Sequence, residues 1–410
     1  MEKIEFKSLI FEKIWQVLLG LFCVSAFVSK SGISIFGILL ILISVFILPW
    51  KEIAKNRKEV LIFIGLYPLA IVCNLFSLGG VQSAVKVAVS WPWVLLALPG
   101  LVVFLRPRDQ KIALLTGGLG LAVACGLSLY YFFFQYGGQF VTGVRVASFW
   151  DISRWGLFLA SSLIGILALS QYFYKAKTRK NFLILQLSFL VAAACLVLSN
   201  TRAPWLAAAA GCLVFILLYP RLLKVYGSYL IVLCLCFALF PPLRDRVVSM
   251  FEIQKSADGK MTSVNGSNAG RLHMWQVALE FYKEQPWFGT GFESTVEPLQ
   301  NYMDRRGPDY KAKYMTEDFS FSDQHSSYLS TLIQMGVIFS VIFWGFFGYL
   351  FISFVAAWWR SRNLWAAAMI CLMICHGVLF VFYSSTNSYD AIALFPFIPL
   401  LVKDPVEKTS

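Results

Sequence analysis

The sequence predicts an all-α integral membrane protein of about twelve spanning helices with one large extracytoplasmic loop, and three observations carry that expectation. Only 14% of the 410 residues are charged and 58% are hydrophobic, whereas soluble domains carry roughly 25% charged residues. The mean hydropathy is +0.69. Apolar runs long enough to cross a hydrocarbon core of about 30 Å, which takes roughly 20 helical residues, recur along nearly the whole chain.

The expected spans are 14–28, 33–49, 60–78, 87–105, 112–134, 155–174, 181–199, 203–219, 228–243, 337–358, 364–382 and 388–402. They divide the chain into residues 1–243 with nine spans, a loop at 244–324, and residues 325–410 with three spans and a short cytosolic tail. The first span resembles the apolar region of a signal peptide. No small-residue cleavage site follows it and a second span begins at once, so a permanent helix is expected.

Orientation is read from Lys and Arg, which cytoplasmic connectors retain. Lys51, Lys55, Arg57 and Lys58 follow the second span, Arg106, Arg108 and Lys111 the fourth, and Lys175, Lys177, Arg179 and Lys180 the sixth. Arg221 and Lys224 follow the eighth, and Arg360 and Arg362 the tenth. With both tails, this face holds 20 of the 35 basic residues and 8 of the 22 acidic ones, whereas the 244–324 loop holds 10 basic and 12 acidic. The net charge of +13 therefore reports topology, and nucleic-acid binding is not needed to explain it. The partners implied are membrane lipids.

All nine cysteines fall inside expected spans and the loop has none, which argues against disulfides and against a thiolate metal site. No metal site or cofactor is expected. No internal repeat stands out, so a repeat-built transporter gains no support. Charges in mid-span are nearly absent too, with Lys86 the closest candidate; a transport path lined by ionisable groups would need them.

The loop reads as folded. Leu272, Trp275, Leu279 and Tyr282 share one face of a helix over Arg271–Gln285, and this stripe is expected to pack on the outer surface of the bundle. The polar run Asn265, Gly266, Ser267, Asn268 supplies caps before the helix. Pro286, Gly289 and Gly291 break it afterwards and permit close backbone approach.

Several cations on the outer side require an explanation, because a charge near the bilayer boundary is costly unless paired or functional. Arg202 lies in the hairpin between spans seven and eight, and Pro204 suits the first turn of a helix. Arg202 would then sit at the positive end of span eight, where a guanidinium and free N–H groups can hold an anion; the alternative is an interfacial arginine snorkelling to headgroups. Arg271 opens the loop helix, where a cation does not complement the dipole, or it is an ordinary surface residue. Arg145 and Arg154 precede span six, and either can pair with Asp151. Of the three histidines, His376 reads as a buried, hydrogen-bonded residue and His273 as structural. His325, where the loop returns to the membrane, carries an imidazole able to take a proton from an attacking hydroxyl.

Three segments together resemble the motifs of the O-antigen ligase and polymerase superfamily of envelope glycosyltransferases. Thr201-Arg202-Ala203-Pro204-Trp205 is similar to its arginine-containing outer hairpin. Gly270-Arg271 through Trp275 to Pro286-Trp287-Phe288-Gly289-Thr290-Gly291 resembles its R-x-x-x-W … P-x-x-G-x-G stretch. His325 with Leu329, Leu332 and Gly336 matches its histidine, leucine and glycine spacing. Two positions depart from the pattern: Ser326 stands where Asn is common, and Gln334 where Glu is.

The resemblance implies a GT-C-like architecture and metal-independent, inverting transfer of a glycan from an undecaprenyl-diphosphate carrier to an acceptor hydroxyl on the periplasmic face of the bacterial inner membrane. It implies Arg202 and Arg271 on the diphosphate, His325 as general base, and Arg145, Arg154, Trp275, Gly289, Gly291 and Ser326 in support. Arginine suits bidentate phosphate binding, and the pair would stabilise charge on the departing diphosphate. Length, span count and the single large loop favour a ligase acting on the lipid A–core oligosaccharide in lipopolysaccharide synthesis over a polymerase extending a second carrier-linked repeat. A lipid-glycan transporter and a non-catalytic scaffold are the rivals from other classes.

Overall fold

The computed structural model describes residues 9–139, 144–227, 239–248, 253–255, 261–263, 267–284, 286–315, 319–322 and 324–383. Almost all of it is helical. In order come α1 (Leu9–Val28), α2 (Lys30–Ile47), α3 (Trp50–Asn56), α4 (Lys58–Leu75), α5 (Gly80–Ser90), α6 (Ala97–Leu105), α7 (Pro107–Tyr130), α8 (Ile152–Lys175), α9 (Arg179–Leu198) and α10 (Arg202–Leu218). A connecting segment follows, with α11 (Pro241–Val248), a two-stranded antiparallel hairpin (Ile253–Lys255 with Met261–Ser263), α12 (Ser267–Tyr282), α13 (Val296–Arg306) and α14 (Pro308–Tyr314). The chain closes with α15 (Ser327–Ser361) and α16 (Leu364–Phe382).

Among the described residues, nine helices are long and apolar enough to cross a membrane, or ten if Arg202–Leu218 and Pro220–Gly227, bent by 110°, form one broken span. The chain is a multi-pass membrane protein. Expected spans 388–402 and, apart from its last residues, 228–243 lie outside the described residues. The span at 364–382 coincides with α16, which starts where Asn363 accepts from the N–H groups of Trp365 and Ala366, the usual satisfaction of a helix N-terminus.

Helices in lipid gain little from the hydrophobic effect and associate through close packing, which small residues permit. That rule explains the centre of the bundle. Ala207, Ala208 and Gly211 of α10 and Ala366, Ala367 and Ala368 of α16 are all buried, and these two helices pack against α8, whose own side chains are mostly buried. Exposed apolar side chains such as Ile35, Ile38, Leu42 and Phe46 cover the outside of α2.

Three expectations need correction. The first concerns α12, whose buried face is His273, Met274, Val277, Ala278 and Phe281, while Leu279 is 46% exposed. The predicted stripe of Leu272, Trp275, Leu279 and Tyr282 is therefore not the buried one. Instead of lying on the bundle alone, α12 shares a core with α13 and α14 through Leu299, Tyr302, Met303 and Tyr314, and with Ile333 of α15. The second concerns Arg271, which is the fifth residue of α12 and does not open it, since the helix begins at Ser267.

The third concerns the tenth span. Its helix, α15, begins at Ser327, ten residues before the expected start, and holds 35 residues. At about 1.5 Å per residue that is roughly 52 Å, far longer than a membrane core. A break at Gly336 (φ 74°, ψ 176°) divides it. The expected span 337–358 is the second half, and 327–335 belongs with the connecting segment.

Candidate active site

The hairpin between α9 and α10 is locked before Arg202 is placed. Asn200 takes a left-handed conformation (φ 49°), Ser199 and Thr201 hydroxyls share a 2.7 Å hydrogen bond, and Trp205 Nε1 returns 2.8 Å to the Leu196 carbonyl. Arg202 is the first residue of α10, at the positive end of its dipole. Two ties bring the strand before α8 alongside: Asn200 Nδ2 donates to the Val144 carbonyl at 3.1 Å, and Val146 N donates to the Leu198 carbonyl at 3.0 Å. Between them stands Arg145.

Arg145, before α8, and Arg154, in its first turn, have different surroundings. Arg154 pairs with Asp151 at 3.0 Å, and Asp151 also caps α8 by accepting from Arg154 N; this pair is local and half-exposed. The positive charges of Arg145, Arg246 and Arg271 all act on the Arg202 guanidinium, and that of Arg145 acts on Arg246. Burial, more than this neighbour, holds Arg246 below its ordinary value. Tyr383, just beyond α16, joins the group: its phenol has Ser153 as a hydrogen-bond partner and feels Arg271, Arg145 and Asp151, while burial holds it above its ordinary value and so neutral.

His325 is positioned by the contacts of its chain neighbours. Trp275 lies one helical turn after Arg271, hence on the same face, and its indole donates to the Gln324 carbonyl at 2.9 Å. Ser326 Oγ donates to the Phe380 carbonyl at 3.3 Å and Ser327 Oγ to the Tyr383 carbonyl at 2.6 Å. His325 thus sits between the Arg271 face of α12 and the end of α16, partly exposed and in a left-handed conformation (φ 49°). Strain of that kind, about 1–3 kcal/mol, is held in place only when the surroundings fix it, and it gathers at functional sites.

The glycine-rich stretch works on the other side of the same element. Where α15 breaks, residues 286–291 lie along it: Thr290 N donates to Ile333 O at 2.9 Å, Gly291 N to Gln334 O at 2.8 Å, and Val337 N to Pro286 O at 2.8 Å. The turn after α4 flanks this strand, with Gly79 N on Thr290 O at 2.9 Å. Asn74, fully buried, accepts from Phe292 N at 2.7 Å and donates to Ala70 O at 2.8 Å. Gly289 and Gly291 therefore support the scaffold under His325. Lys86 donates to the Glu293 carbonyl at 2.8 Å, at an exposed position.

His273 is buried edge-on against Tyr314, and His376 Nδ1 lies 3.1 Å from the Leu372 carbonyl; both are accounted for by packing. A pocket of about 400 Å³ lined by Phe76, Leu78, Glu284 and Trp287 opens at the far end of α12 from Arg271, without any of the arginines or His325 in its wall. Among the described residues, no three His, Cys, Asp or Glu side chains gather as a ligand set for a metal.

Sequence reasoning missed Arg246, Tyr383 and Asn74. Pro241-Pro242 marks a helix restart that would have set Arg246 at the exit of a span, and Tyr383 is the first residue past α16. Asn74 left only the signal of an amide inside an apolar run.

Fold and site together define a multi-pass membrane protein in which the guanidinium groups of Arg145, Arg202, Arg246 and Arg271 interact electrostatically and the connecting segment that carries His325 is tied to α12. Residues 187–344 match the family model described as O-antigen ligase. The matched stretch contains Arg202, Arg271 and His325, so the family resemblance read from the motifs is borne out. No curated protein matches the chain.

Proposed function

We propose that the chain is an O-antigen ligase that transfers a glycan from undecaprenyl diphosphate to the lipid A–core oligosaccharide at the periplasmic face of the bacterial inner membrane. The reading is supported by the mutual electrostatic interaction of Arg145, Arg202, Arg246 and Arg271 and by the tie of Trp275, one turn after Arg271, to Gln324, the neighbour of His325. Like charges brought so close favour an anionic ligand, and a diphosphate with two bridging-capable ends suits forked guanidinium groups. Arg202 adds the N-terminus of α10 to the same anion.

In this reading Arg202 and Arg271 bind the carrier diphosphate and stabilise the charge that develops as the glycosidic C–O bond breaks. His325 accepts the proton of the acceptor hydroxyl as its oxygen bonds to the anomeric carbon. Attack opposite the departing diphosphate inverts that carbon. No step calls on a metal or a nucleotide sugar.

The family match supports ligase or polymerase chemistry alike, and the acceptor separates them. The test is reconstitution of the purified protein with a carrier-linked glycan and two competing acceptors, lipid A–core and a second carrier-linked repeat. Glycan on lipid A–core is expected; elongation of the carrier-linked repeat alone would make the protein a polymerase. Full turnover with both Arg202 and Arg271 neutralised would end the reading altogether.

A further inference from the structure

The break in α15 does more than bend a helix. Between Gly336 and His325 lies one short helical segment, 327–335, with Ser326 as its N-cap residue. Nine helical residues at about 1.5 Å make a lever of roughly 13 Å. A 10° change of direction at Gly336 would therefore displace its far end, next to His325, by about 2 Å, most of the distance over which a positioned base works.

The direction at Gly336 is not left to the helix. Its φ of 74° belongs to the region that favours glycine, and a Cβ there would stand 2.1 Å from the Trp287 carbonyl oxygen. Across the contact, a Cβ on Gly289 would stand 2.3 Å from the Ile333 carbonyl oxygen and 2.8 Å from Gly336 N. All these obstacles are backbone, which cannot swing aside as a flexible side chain can. The main-chain groups that a broken helix leaves without partners, the carbonyls of Ile333 and Gln334 and the N–H of Val337, are met by Thr290, Gly291 and Pro286. Asn74 fixes the strand in turn, accepting from Phe292 N and donating to the Met335 sulfur at 3.5 Å. At its other end the lever is held by Ser326, Ser327 and Trp275.

We propose that the interlock of residues 286–291 with the break at Gly336 is a positioning device for His325, so that Gly289 and Gly336 act on the transfer step and not on donor binding. This rests on the reading of His325 as the general base. The arginines that would bind the diphosphate stand on α10, α12, α11 and the strand before α8, none of which lies on the lever. α12 is joined to the lever by the core around Ile333 and by the Trp275–Gln324 bond, whereas Arg202 stands on α10, so a shift at Gly336 moves the base relative to Arg202.

The test uses the full chain in detergent or nanodiscs, with binding of fluorescent undecaprenyl diphosphate measured apart from turnover at saturating donor. Gly336→Ala is expected to bind the probe within about threefold of the parent and to turn over about 100-fold more slowly, the loss that a misplacement of about 1 Å can cause. Adding Gly336→Ala to His325→Ala should lower the residual rate no further. Binding and turnover that fall together, or losses that multiply in the double variant, would overturn the proposal. Should Gly336→Ala fail to accumulate, Val337→Pro decides: it deletes the Val337 N–H bond to Pro286 at the first position of a helical segment, where proline is tolerated. A roughly tenfold drop in turnover with binding kept supports the device, and parent-like turnover refutes it. Normal turnover in His325→Ala would instead remove the base reading; an inactive His325→Ala beside a fully active Gly336→Ala would remove only the positioning role.

Discussion

The indole of Trp275 donates to the main-chain carbonyl of Gln324 at 2.9 Å, and this bond sets His325 beside the helix face that carries Arg271. Trp275→Phe keeps most of the ring and deletes the donor. A hydrogen bond of this kind contributes about 0.5–1.5 kcal/mol net, so transfer is expected to fall roughly two- to thirteenfold while membrane abundance holds. Leu279→Ala, on the exposed side of the same helix, should leave the rate unchanged. Rates of the two variants at equal abundance check this; equal behaviour would mean that the tie does not matter.

Arginines of similar sequence context separate by their surroundings. Arg202→Lys and Arg271→Lys keep the charge and lose the fork, and each is expected to cost at least about 100-fold in transfer, as loss of one well-placed donor to a developing anion does. Arg154 is engaged with Asp151 in a half-exposed pair. Such pairs contribute under about 1 kcal/mol, so Arg154→Ala should stay within about threefold of the parent rate. An Arg154 variant as impaired as the Arg202 variant would redraw the anion site.

Much of the bundle was legible because apolar runs answer directly to the thickness of a membrane: the run at 364–382 is α16 residue for residue. The start of α15 was not. Ser327, Ser330, Thr331 and Gln334 interrupt the apolar run, and only the partners of that segment, among them Gln324, which accepts from Ser330 Oγ at 3.1 Å, make it helical. Nor could periodicity choose the buried face of α12, because Met274, Val277, Ala278 and Phe281 repeat at helical spacing just as Leu272, Trp275, Leu279 and Tyr282 do. Packing of α13 and α14 decided it. Arg202, Arg271 and His325 could be named from local motifs, but Arg246 and Tyr383 join them only through contacts between distant parts of the chain.

Asn74 ties α4 to the strand that supports α15, and its replacement by alanine would leave the buried Phe292 N–H without an acceptor. An orphaned buried donor costs about 1–3 kcal/mol. Asn74→Ala should therefore lower the thermal midpoint in detergent, and the remaining folded molecules should transfer slowly because the strand that holds Gly336 has loosened. A midpoint equal to the parent's would show that the amide is dispensable.

Stability without function should reside at the opposite end of the bundle. Asp109, in the first turn of α7, has no exposed surface; it accepts from Trp15 Nε1 at 2.9 Å and pairs with Arg106 at 3.0 Å, while Arg106 reaches Glu12 of α1 at 2.6 Å. Ser128, nineteen residues further along α7 and so about 28 Å away, meets Trp155 beside the capped start of α8, at the end where the arginines gather. Removing one partner of a buried ion pair costs about 3–5 kcal/mol where the other charge is left unpaired, and less here, about 1–3 kcal/mol for the orphaned Trp15 N–H, because Arg106 keeps Glu12. Asp109→Leu is expected to lose the smaller amount by detergent or thermal titration, whereas Asp109→Asn, which still offers an oxygen to Trp15, should lose less. Transfer per folded molecule should match the parent in both. A variant that is stable yet inactive would mean that the α1–α7 clamp communicates with the site, contrary to the separation these distances describe.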